Sequence, residues 1–261
     1  MDKLYIIKIG GNVIDDEEKL SSFLKSFALL EDRKILVHGG GKLVTNFAKK
    51  LGIEQQLVDG RRITDAETLK IVIMVYAGYI NKYIVAKLQS HHCNAIGLSG
   101  ADGDTILAHK RQHPVLDYGF VGDVDVINTI LLKNLLDQRI ALVFAPITHD
   151  QQGQLLNTNA DTIAQEIARA LCNDYDLQLI YSFEKSGVLL DTNDEATVIP
   201  SINPSYYQQL KSKEKIFAGM IPKLDNAFTA LHSGVKKVII GKAENLQELI
   251  SGTSGTTIVN E

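Results

Sequence analysis

Short apolar runs that alternate with helix-period segments constrain the fold of this 261-residue chain more than any other feature. Buried strands are predicted at 4–9, which reads LYIIKI, and at 35–37. Each is followed by apolar residues at helical spacing, within 20–27 and within 44–51. Strand, helix, strand and helix in succession predict an α/β fold whose parallel sheet is covered by helices on both faces.

The same alternation continues towards the end of the chain. Apolar runs predict further strands at 95–98, 140–145, 177–181, 188–190, 237–240 and 257–259. Helical spacing predicts helices at 127–136, 161–171, 204–210, 222–231 and 246–250. A polar stretch near 173–176 predicts a boundary between two lobes, 1–174 and 175–261.

One predicted helix is long and apolar on two sides. The residues Thr64-Asp-Ala-Glu67 have the pattern of a capping box, and they predict the start of a helix that runs to about Leu88. Leu69 and Ile73 belong to one apolar side, and Val72 belongs to the other. A helix with two apolar sides is either central in the fold or shared with a second subunit.

Composition excludes several classes of protein. With 27 basic and 31 acidic residues, the net charge of −4 lacks the basic surplus of a nucleic-acid or anionic-membrane binder. The longest apolar stretch, 71–80, has about ten residues, whereas a membrane-spanning helix needs roughly twenty. Cys93 and Cys172 are too few for a disulfide framework or a zinc cluster, and they indicate free thiols in a reducing cytoplasm.

Glycine-rich loops follow the first two predicted strands. In 8–11 (Lys-Ile-Gly-Gly), a lysine inside an apolar strand is costly unless it meets an anion, and the glycines let backbone N–H groups approach a ligand. In 38–42 (His-Gly-Gly-Gly-Lys), glycines before a helix predict an anion cradle. Leu43 excludes a Walker A loop and Val44 a dinucleotide fingerprint. The alternatives to ligand binding at these two motifs are a lysine on an edge strand and ordinary tight turns. His38 is expected to be a hydrogen-bonded structural residue rather than a catalytic one.

Three further motifs lie at predicted helix starts. In 60–64 (Gly-Arg-Arg-Ile-Thr), arginine suits a carboxylate, but adjacent side chains point apart, so at most one arginine is expected to serve a site. The stretch 157–161 (Asn-Thr-Asn-Ala-Asp) carries more polar groups than one helix cap requires. In 219–223 (Gly-Met-Ile-Pro-Lys), the lysine opposes the helix dipole, which a negative ligand would reverse. The alternatives to a ligand site are a solvated loop at 60–64, an ordinary helix cap at 157–161 and a lysine that extends into water at 219–223.

Two lysines, two glycine loops, an arginine and an aspartate suit phosphoryl transfer, which needs positioning and charge neutralisation. The order of these motifs resembles the amino acid kinase family over nearly the whole chain. Further motifs that carry the resemblance lie at 77–82, 97–103, 119–122, 126–128 and 255–256. The resemblance implies a three-layer αβα sandwich with a central, mostly parallel sheet. It also implies ATP-dependent phosphorylation of the γ-carboxylate of N-acetyl-L-glutamate, the second step of arginine biosynthesis.

The resemblance implies a role for each candidate residue. Lys8 and Lys223 would neutralise the transferring phosphoryl group from two sides, and Asp161 would hold their ammonium groups in place. Arg62 would bind the α-carboxylate of the N-acylglutamate, and Asn157 would help to seat that substrate. A carboxylate is already ionised at neutral pH, so the acceptor needs no general base.

Backbone groups and the second lobe would bind phosphate and nucleotide. The transferring phosphate and the acceptor would lie against the backbone of Gly10, Gly11, Gly40 and Gly41. ATP would lie near Ser182, Lys185, Gly187 and Gly219. Mg²⁺ would be carried by the nucleotide phosphates, without a metal site made by the protein.

Two features leave alternatives open. The stretch 181–187 (Tyr-Ser-Phe-Glu-Lys-Ser-Gly) lacks the aspartate of the family's Thr/Ser-Asp-Val-x-Gly pattern and is longer by one residue. The motifs also do not separate an acetyl pocket from one for a larger acyl group such as succinyl, and 100–122 is the predicted lid over that group. Another activity of the family is a further alternative. A non-catalytic sensor would lack a lysine or the aspartate of the predicted catalytic set.

Assembly is predicted from the start of the chain and from the long helix. Arginine-inhibited members of the family carry an extra N-terminal helix that interlaces dimers into a hexamer. Here three residues precede the first predicted strand, too few for such a helix. Pairing through the long helix would bury its second apolar side, so we expect a homodimer without strong arginine feedback.

Overall fold

The computed structural model describes residues 1–58, 61–213, 215–216 and 220–260. Its strands are β1 (Lys3–Ile9), β2 (Arg33–His38), β3 (Leu57–Val58), β4 (Arg61–Arg62), β5 (Ala95–Leu98), β6 (Ile106–Lys110), β7 (Gly122–Ile127), β8 (Ala141–Phe144), β9 (Ile147–His149), β10 (Leu155–Asn157), β11 (Asp176–Phe183), β12 (Ser201–Ile202), β13 (Lys237–Lys242) and β14 (Thr256–Ile258). Its α-helices are α1 (Gly11–Ile14), α2 (Glu17–Ala28), α3 (Gly41–Lys50), α4 (Ala66–Ile73), α5 (Asn81–Ser90), α6 (Thr129–Asp137), α7 (Ala160–Leu171), α8 (Pro204–Ser212), α9 (Ile221–His232) and α10 (Leu246–Ser251).

Eight strands form the central sheet in the order β12-β14-β13-β11-β1-β2-β8-β5. In the described part of the chain, its neighbouring strands run parallel except β13 and β14, which are antiparallel. A second sheet has the order β10-β9-β6-β7, and β3 and β4 form a separate hairpin. Because β1 pairs with both β2 and β11, the loop that follows β1 lies in the middle of the main sheet.

Alternation along β1 explains why helices cover both faces of the sheet. Leu4 and Ile6 belong to one buried core, which they share with α6, α7, α8 and α9. Tyr5 and Ile7 belong to a second core, shared with α2, α4, α5 and α10. These two cores confirm the three-layer αβα sandwich with a mostly parallel sheet. The division into lobes 1–174 and 175–261 stays a prediction, since the sheet continues across that boundary.

The long helix begins one residue later than the capping-box pattern predicts. Asp65 is the N-cap, because its carboxylate accepts a hydrogen bond from the Thr68 N–H at 2.8 Å. Thr64 instead donates its hydroxyl to the Arg62 carbonyl at 2.9 Å. From α4 the helix continues through a π-helical stretch, Met74–Ile80, into α5.

This helix, Ala66–Ser90, is the one helix in the described residues that is long and apolar enough to cross a membrane by length and composition alone. Its most apolar window has 44% of its residues buried inside the fold. Ile71, Ile84 and Leu88 of this helix lie in the second core, against the sheet. Packing within the globular fold therefore accounts for part of its apolar character.

The small sheet was not predicted from the sequence, and one predicted strand is absent from the described residues. Residues 188–190 form no strand, because Leu189 makes only an isolated antiparallel bridge with Val198. In the small sheet, β7 reads GDVDVI and most of its residues are partly or fully exposed. Such a strand has no continuous apolar run, so the pattern that identified the central strands does not detect it.

Candidate active site

Three predicted catalytic residues meet at the carboxyl end of β1. The carboxylate of Asp161 lies between two ammonium groups, with Oδ1 2.7 Å from Lys8 Nζ and Oδ2 3.0 Å from Lys223 Nζ. Lys8 shares the face of β1 that carries Leu4 and Ile6, and this face packs against α7 and α9. The alternation of β1 therefore directs Lys8 towards the first turn of α7, where Asp161 lies. We call these three residues the lysine–aspartate trio.

Asn159 leaves the Asp161 side chain free for the trio. The amide oxygen of Asn159 accepts hydrogen bonds from the N–H groups of Asp161 at 2.8 Å and Thr162 at 3.1 Å. Because Asn159 caps α7, the Asp161 carboxylate is not needed as a cap. The two polar residues at 159 and 161 thus have different tasks, which accounts for the excess of polar groups noted in this motif.

Burial and mutual attraction set the charges of the trio. Burial lowers the pKa of Lys8 to about 8, with Asp161 raising and Lys223 further lowering it. Burial alone would raise the pKa of Asp161, but the two ammonium groups outweigh it and hold this pKa well below its usual range. Burial also disfavours the charge of Lys223, but the attraction of Asp161 prevails and raises its pKa. Two cations around one anion leave a net positive charge that suits an anionic ligand.

The two glycine loops face each other beside Lys8. Within the described residues, α1 and α3 begin at Gly11 and Gly41 without a side-chain cap. A Cβ atom added at Gly11 would lie 3.8 Å from the backbone nitrogen of Gly41. Gly40 has φ = 137°, and a Cβ there would come within 2.3 Å of Ile80 Cδ1, so this position requires glycine. The loops thus offer backbone N–H groups to a ligand at close range.

His38 makes hydrogen bonds within the fold, which supports the expected structural role. The ring is fully buried. Its Nδ1 donates to the Gly39 carbonyl at 2.9 Å, and its Nε2 lies 3.3 Å from the side-chain nitrogen of Asn81, which can donate to it. Burial lowers the pKa of His38 to about 4, so the imidazole is neutral at neutral pH.

A cavity of about 220 Å³, here called the acceptor cavity, adjoins the trio. The predicted substrate residues Gly40, Gly41, Arg62 and Asn157 all line it, together with Lys8 and Asp161. Asn157 is held by its side-chain N–H, which donates to the Thr64 hydroxyl at 3.0 Å. The structure therefore brings the predicted substrate residues and two members of the trio to one cavity.

Arg62 is a buried cation held by neutral groups. The guanidinium donates to the Gly41 carbonyl at 2.9 Å, to the Thr45 hydroxyl at 3.0 Å and to the side-chain oxygen of Gln55. Only 7% of Arg62 is exposed, and burial lowers its pKa, although arginine stays charged at neutral pH. In the described ranges no carboxylate lies within 4.0 Å of it. Its charge is thus available to an anion in the cavity.

The expectation that at most one of the two adjacent arginines serves a site stays a prediction, although the structure brings both side chains to the same cavity. Arg61, which is partly buried, lines the acceptor cavity as well as Arg62. The β3–β4 hairpin lies at this cavity, so long side chains from both faces of β4 reach it. The predicted lid, 100–122, contributes Arg111, Val121 and Gly122 to the same lining.

A second cavity, here called the nucleotide cavity, lies among residues of the predicted ATP-binding lobe. Lys185 and Gly187 line it, as predicted, and so does Lys223. Apolar residues form much of the rest of its wall: Phe183, Val188, Leu189, Ile216 and Met220. Because Lys223 borders this cavity whereas Lys8 and Asp161 border the acceptor cavity, the trio stands between the two.

Of the predicted nucleotide residues that the structure describes, Ser182 is not part of the lining of this second cavity. Ser182 is buried, and its carbonyl accepts the Gly10 N–H at 3.1 Å. Its hydroxyl has no hydrogen-bond partner among the described residues. Gly219 lies outside the described residues.

Glu184 was missed by the sequence analysis. It lines the nucleotide cavity, and its negative charge helps to raise the pKa of Lys223. It lies within the stretch 181–187, which was noted only for lacking the family's aspartate. An acidic side chain within this predicted nucleotide-binding stretch was the signal that could have identified it.

Among the described residues, no group of three or more His, Cys, Asp or Glu side chains could hold a metal ion. A Mg²⁺ ion on nucleotide phosphates would not need such a group, since Mg²⁺ is commonly bound by substrate phosphates and water. The donor set of this site is thus compatible with a metal that arrives with the nucleotide.

A mostly parallel α/β sheet with two cavities beside paired lysines defines a class of protein, the α/β proteins whose sites lie at the carboxyl ends of strands. A model of the amino acid kinase family matches residues 3–242, and the chain belongs to this family. Acetylglutamate kinase from Cytophaga hutchinsonii is 59% identical over 262 residues, which cover 99% of each chain. The enzyme of the same name from Parabacteroides distasonis is 51% identical over 248 residues, or 95% of this chain and 97% of that one.

A solved structure shares the fold at low sequence identity. N-acetylglutamate synthase from Neisseria gonorrhoeae, solved with coenzyme A and N-acetyl-glutamate, superposes with a TM-score of 0.85. The identity is 22%, and the match covers 100% of this chain and 60% of that one. At this identity the likeness concerns the fold alone.

Proposed function

We propose that this chain transfers the γ-phosphoryl group of ATP to the γ-carboxylate of N-acetyl-L-glutamate, the second step of arginine biosynthesis. The observation that carries the proposal is the lysine–aspartate trio between an acceptor cavity and a nucleotide cavity. Relatives named acetylglutamate kinase, matched over nearly the whole chain, support this acceptor. The same reaction on a larger N-acylglutamate is the alternative left open by the sequence.

In the proposed reaction the acceptor carboxylate attacks the γ-phosphorus directly, and ADP leaves. The attacking group is ionised at neutral pH, so no residue needs to remove a proton. Lys8 on the acceptor side and Lys223 on the nucleotide side neutralise charge on the transferring phosphoryl group. Asp161 holds both ammonium groups in position through its two carboxylate oxygens. Mg²⁺ on the nucleotide phosphates would supply further neutralisation.

The backbone and the acceptor cavity position the two substrates. N–H groups at Gly11, Gly40 and Gly41 would bind the transferring phosphate and the acceptor carboxylate. The Gly10 N–H already donates to the Ser182 carbonyl, so Gly10 would contribute only the close approach of its backbone. In the acceptor cavity, Arg62 would pair with the α-carboxylate, and Asn157 would donate its second side-chain N–H to the substrate. The α-carboxylate and the γ-carboxylate, at opposite ends of one ligand, would then face Arg62 and Lys8.

The nucleotide would lie in the second cavity, over the lobe 175–261. Its apolar wall suits a purine base, and Lys185 is a cation for the phosphates. The glycines at 187 and 219 would let the nucleotide approach the backbone. At Gly187 a Cβ would also come within 2.7 Å of Thr256 Oγ1, so packing gives a second reason for this glycine.

A coupled assay with ATP and a panel of acceptors tests the proposed function. The panel contains L-glutamate, N-acetyl-L-glutamate, L-aspartate, carbamate and UMP, each with Mg²⁺. We expect ADP release with the N-acylated glutamate at a kcat/KM at least tenfold above that for any other member. Preference for carbamate, aspartate or UMP would assign the chain to a different activity of its family.

Replacing Arg62 with glutamine is expected to raise KM for the N-acylglutamate by at least tenfold and KM for ATP by less than threefold. The reason is that the lost charge-assisted hydrogen bonds would point to the α-carboxylate, away from the nucleotide cavity. Initial rates with each substrate varied in turn give the two constants. An equal rise in both KM values, or a rise in KM for ATP alone, would show that Arg62 does not bind the α-carboxylate of the N-acylglutamate.

We also propose a cytoplasmic homodimer formed through the long helix. Met74 and Tyr79 on this helix are 57% and 55% exposed, although both are large and apolar or aromatic. Light scattering is expected to give twice the mass of the chain for the wild type and half that value for a Met74→Glu/Tyr79→Glu variant. Leu29→Glu, at another exposed apolar residue, is the control that should stay dimeric. A monomeric wild type refutes the proposal.

The expected absence of strong inhibition by arginine is checked separately, by titrating arginine into the activity assay.

A further inference from the structure

The acceptor cavity carries more positive charge than an N-acetylated glutamate would use. In the proposed function, the γ-carboxylate faces Lys8 and the α-carboxylate faces Arg62. Two further guanidinium groups, Arg61 and Arg111, line the same cavity. Buried or half-buried cations at a small cavity are costly unless an anion meets them.

Arg111 is held in one orientation from several sides. Its Nε lies 3.1 Å and 3.0 Å from the two carboxylate oxygens of Asp123, and its Nη2 also donates to this carboxylate. Its Cζ lies 5.7 Å from the centre of the Tyr118 ring, and its side chain is only 16% exposed. Among the described residues, no partner is found for Nη1, whose two N–H groups are therefore available to a ligand.

Arg61 adds a second cation to the same lining. It lies opposite Val58 in the β3–β4 hairpin and is partly buried. In the parts of the chain that the structure describes, its side chain takes part in no ion pair within 4.0 Å. Asp123 already balances Arg111. Within the described ranges, Arg61 therefore supplies a charge without an ion-pair partner, and Arg111 supplies oriented donors.

The geometry of the substrate assigns these two arginines to its acyl group. The α-carbon of an N-acylglutamate carries three groups besides hydrogen: the carboxylate, the side chain and the acylated nitrogen. With the first directed to Arg62 and the second to Lys8, the acyl group faces the remaining lining. That lining includes Arg61, Arg111, Val121 and Gly122, and the last three belong to the predicted lid.

We propose that the acyl group accepted by this cavity ends in a carboxylate of its own, which Arg111 and Arg61 bind. N-succinyl-L-glutamate is the simplest ligand of this kind, and it would be preferred to N-acetyl-L-glutamate. The inference rests on the proposed function, because it assumes that the cavity binds an N-acylglutamate. It adds that two arginines determine the specificity for the acyl group.

Three acceptors that differ only in the acyl group separate charge from size. They are N-acetyl-L-glutamate, N-succinyl-L-glutamate and N-succinamoyl-L-glutamate, whose neutral amide has nearly the size of the succinyl carboxylate. With the wild-type enzyme and ATP, kcat/KM for the succinyl compound is expected to exceed that for each of the other two by at least tenfold. A rank order set by size would instead make the succinyl and succinamoyl compounds equal.

Variants then connect this preference to the two arginines. In Arg111→Gln and in Arg61→Gln, kcat/KM for the succinyl substrate is expected to fall at least fivefold more than kcat/KM for the acetyl substrate. Arg169→Gln, on the exposed side of α7, is the matched control and should change neither value. Equal losses for both substrates would show that the arginines only support the lid, and would overturn the inference.

The assay distinguishes a failure of the specificity inference from a failure of the proposed function. Phosphorylation of N-acetyl-L-glutamate with a weaker or equal response to N-succinyl-L-glutamate overturns the specificity inference and leaves the proposed function standing. Failure of all three N-acylglutamates, with activity on another acceptor of the panel, overturns the proposed function.

Discussion

Lys8→Ala and Lys223→Ala are each expected to lower kcat at least a hundredfold while the fold survives. Each substitution removes an ammonium group from the place where negative charge shifts during transfer, and the loss of one such donor costs about 3–4 kcal/mol of transition-state stabilisation. Folding should persist because Asp161 keeps one cationic partner in either variant. Steady-state rates at saturating substrates measure the effect, and thermal unfolding confirms that each variant is folded.

Lys70→Ala is the matched control for these two variants. Lys70 is an exposed lysine that pairs with Glu67 on the surface of the long helix. Its removal should leave kcat within a factor of two, because a surface ion pair contributes little and lies away from the site. A folded Lys8 or Lys223 variant with wild-type kcat would refute the two-lysine mechanism.

Asp161→Asn is expected to lower kcat/KM by roughly a hundredfold at pH 7.5 and to change its pH dependence. In the wild type, kcat/KM should fall as the pH rises through about 8, because Lys8 loses its proton with the pKa of about 8 set by burial. Asp161 raises this pKa, so removing its charge lowers it further. The alkaline limb of the variant therefore moves to lower pH. Profiles of kcat/KM report groups of the free enzyme and are the measurement required.

Lys8→Arg provides the control for the assignment of that limb. Arginine keeps its charge over the whole accessible pH range, so the alkaline limb should disappear even where the rate is reduced. An unchanged limb in Lys8→Arg would assign it to a different group. An Asp161→Asn variant with the wild-type rate and profile would remove Asp161 from the mechanism.

Much of the fold was predictable because its signals lie in consecutive residues. The apolar runs of β1, β2 and β8 are nearly continuous, as strands buried on both faces require. The spacing of Phe23, Leu24 and Phe27 indicated α2 in the same way. The small sheet was not predicted, because β7 carries acidic residues on an exposed side. The start of the long helix was predicted one residue too early, because Asp65 and not Thr64 is the N-cap.

The candidate site was predictable to the extent that single residues were chemically out of place. Lys8 in an apolar strand and Lys223 at a helix start each indicated an anion without any knowledge of the fold. Arg111 carried no such signal, because a lysine–arginine pair in an exposed hairpin looks like a solvated surface. Its position at the acceptor cavity depends on the register of β6 with β7 and on the pair with Asp123.

Local periodicity and conformational needs determine the layers, the order of elements and the glycine loops, since each depends on residues within a few positions of one another. Contacts across the fold decide the rest. Asp161 meets Lys8 and Lys223 only because β1 lies in the middle of the sheet and the first turns of α7 and α9 lie at its carboxyl end. The charges follow from that meeting, because burial and three-way attraction shift each pKa in ways that no single residue carries.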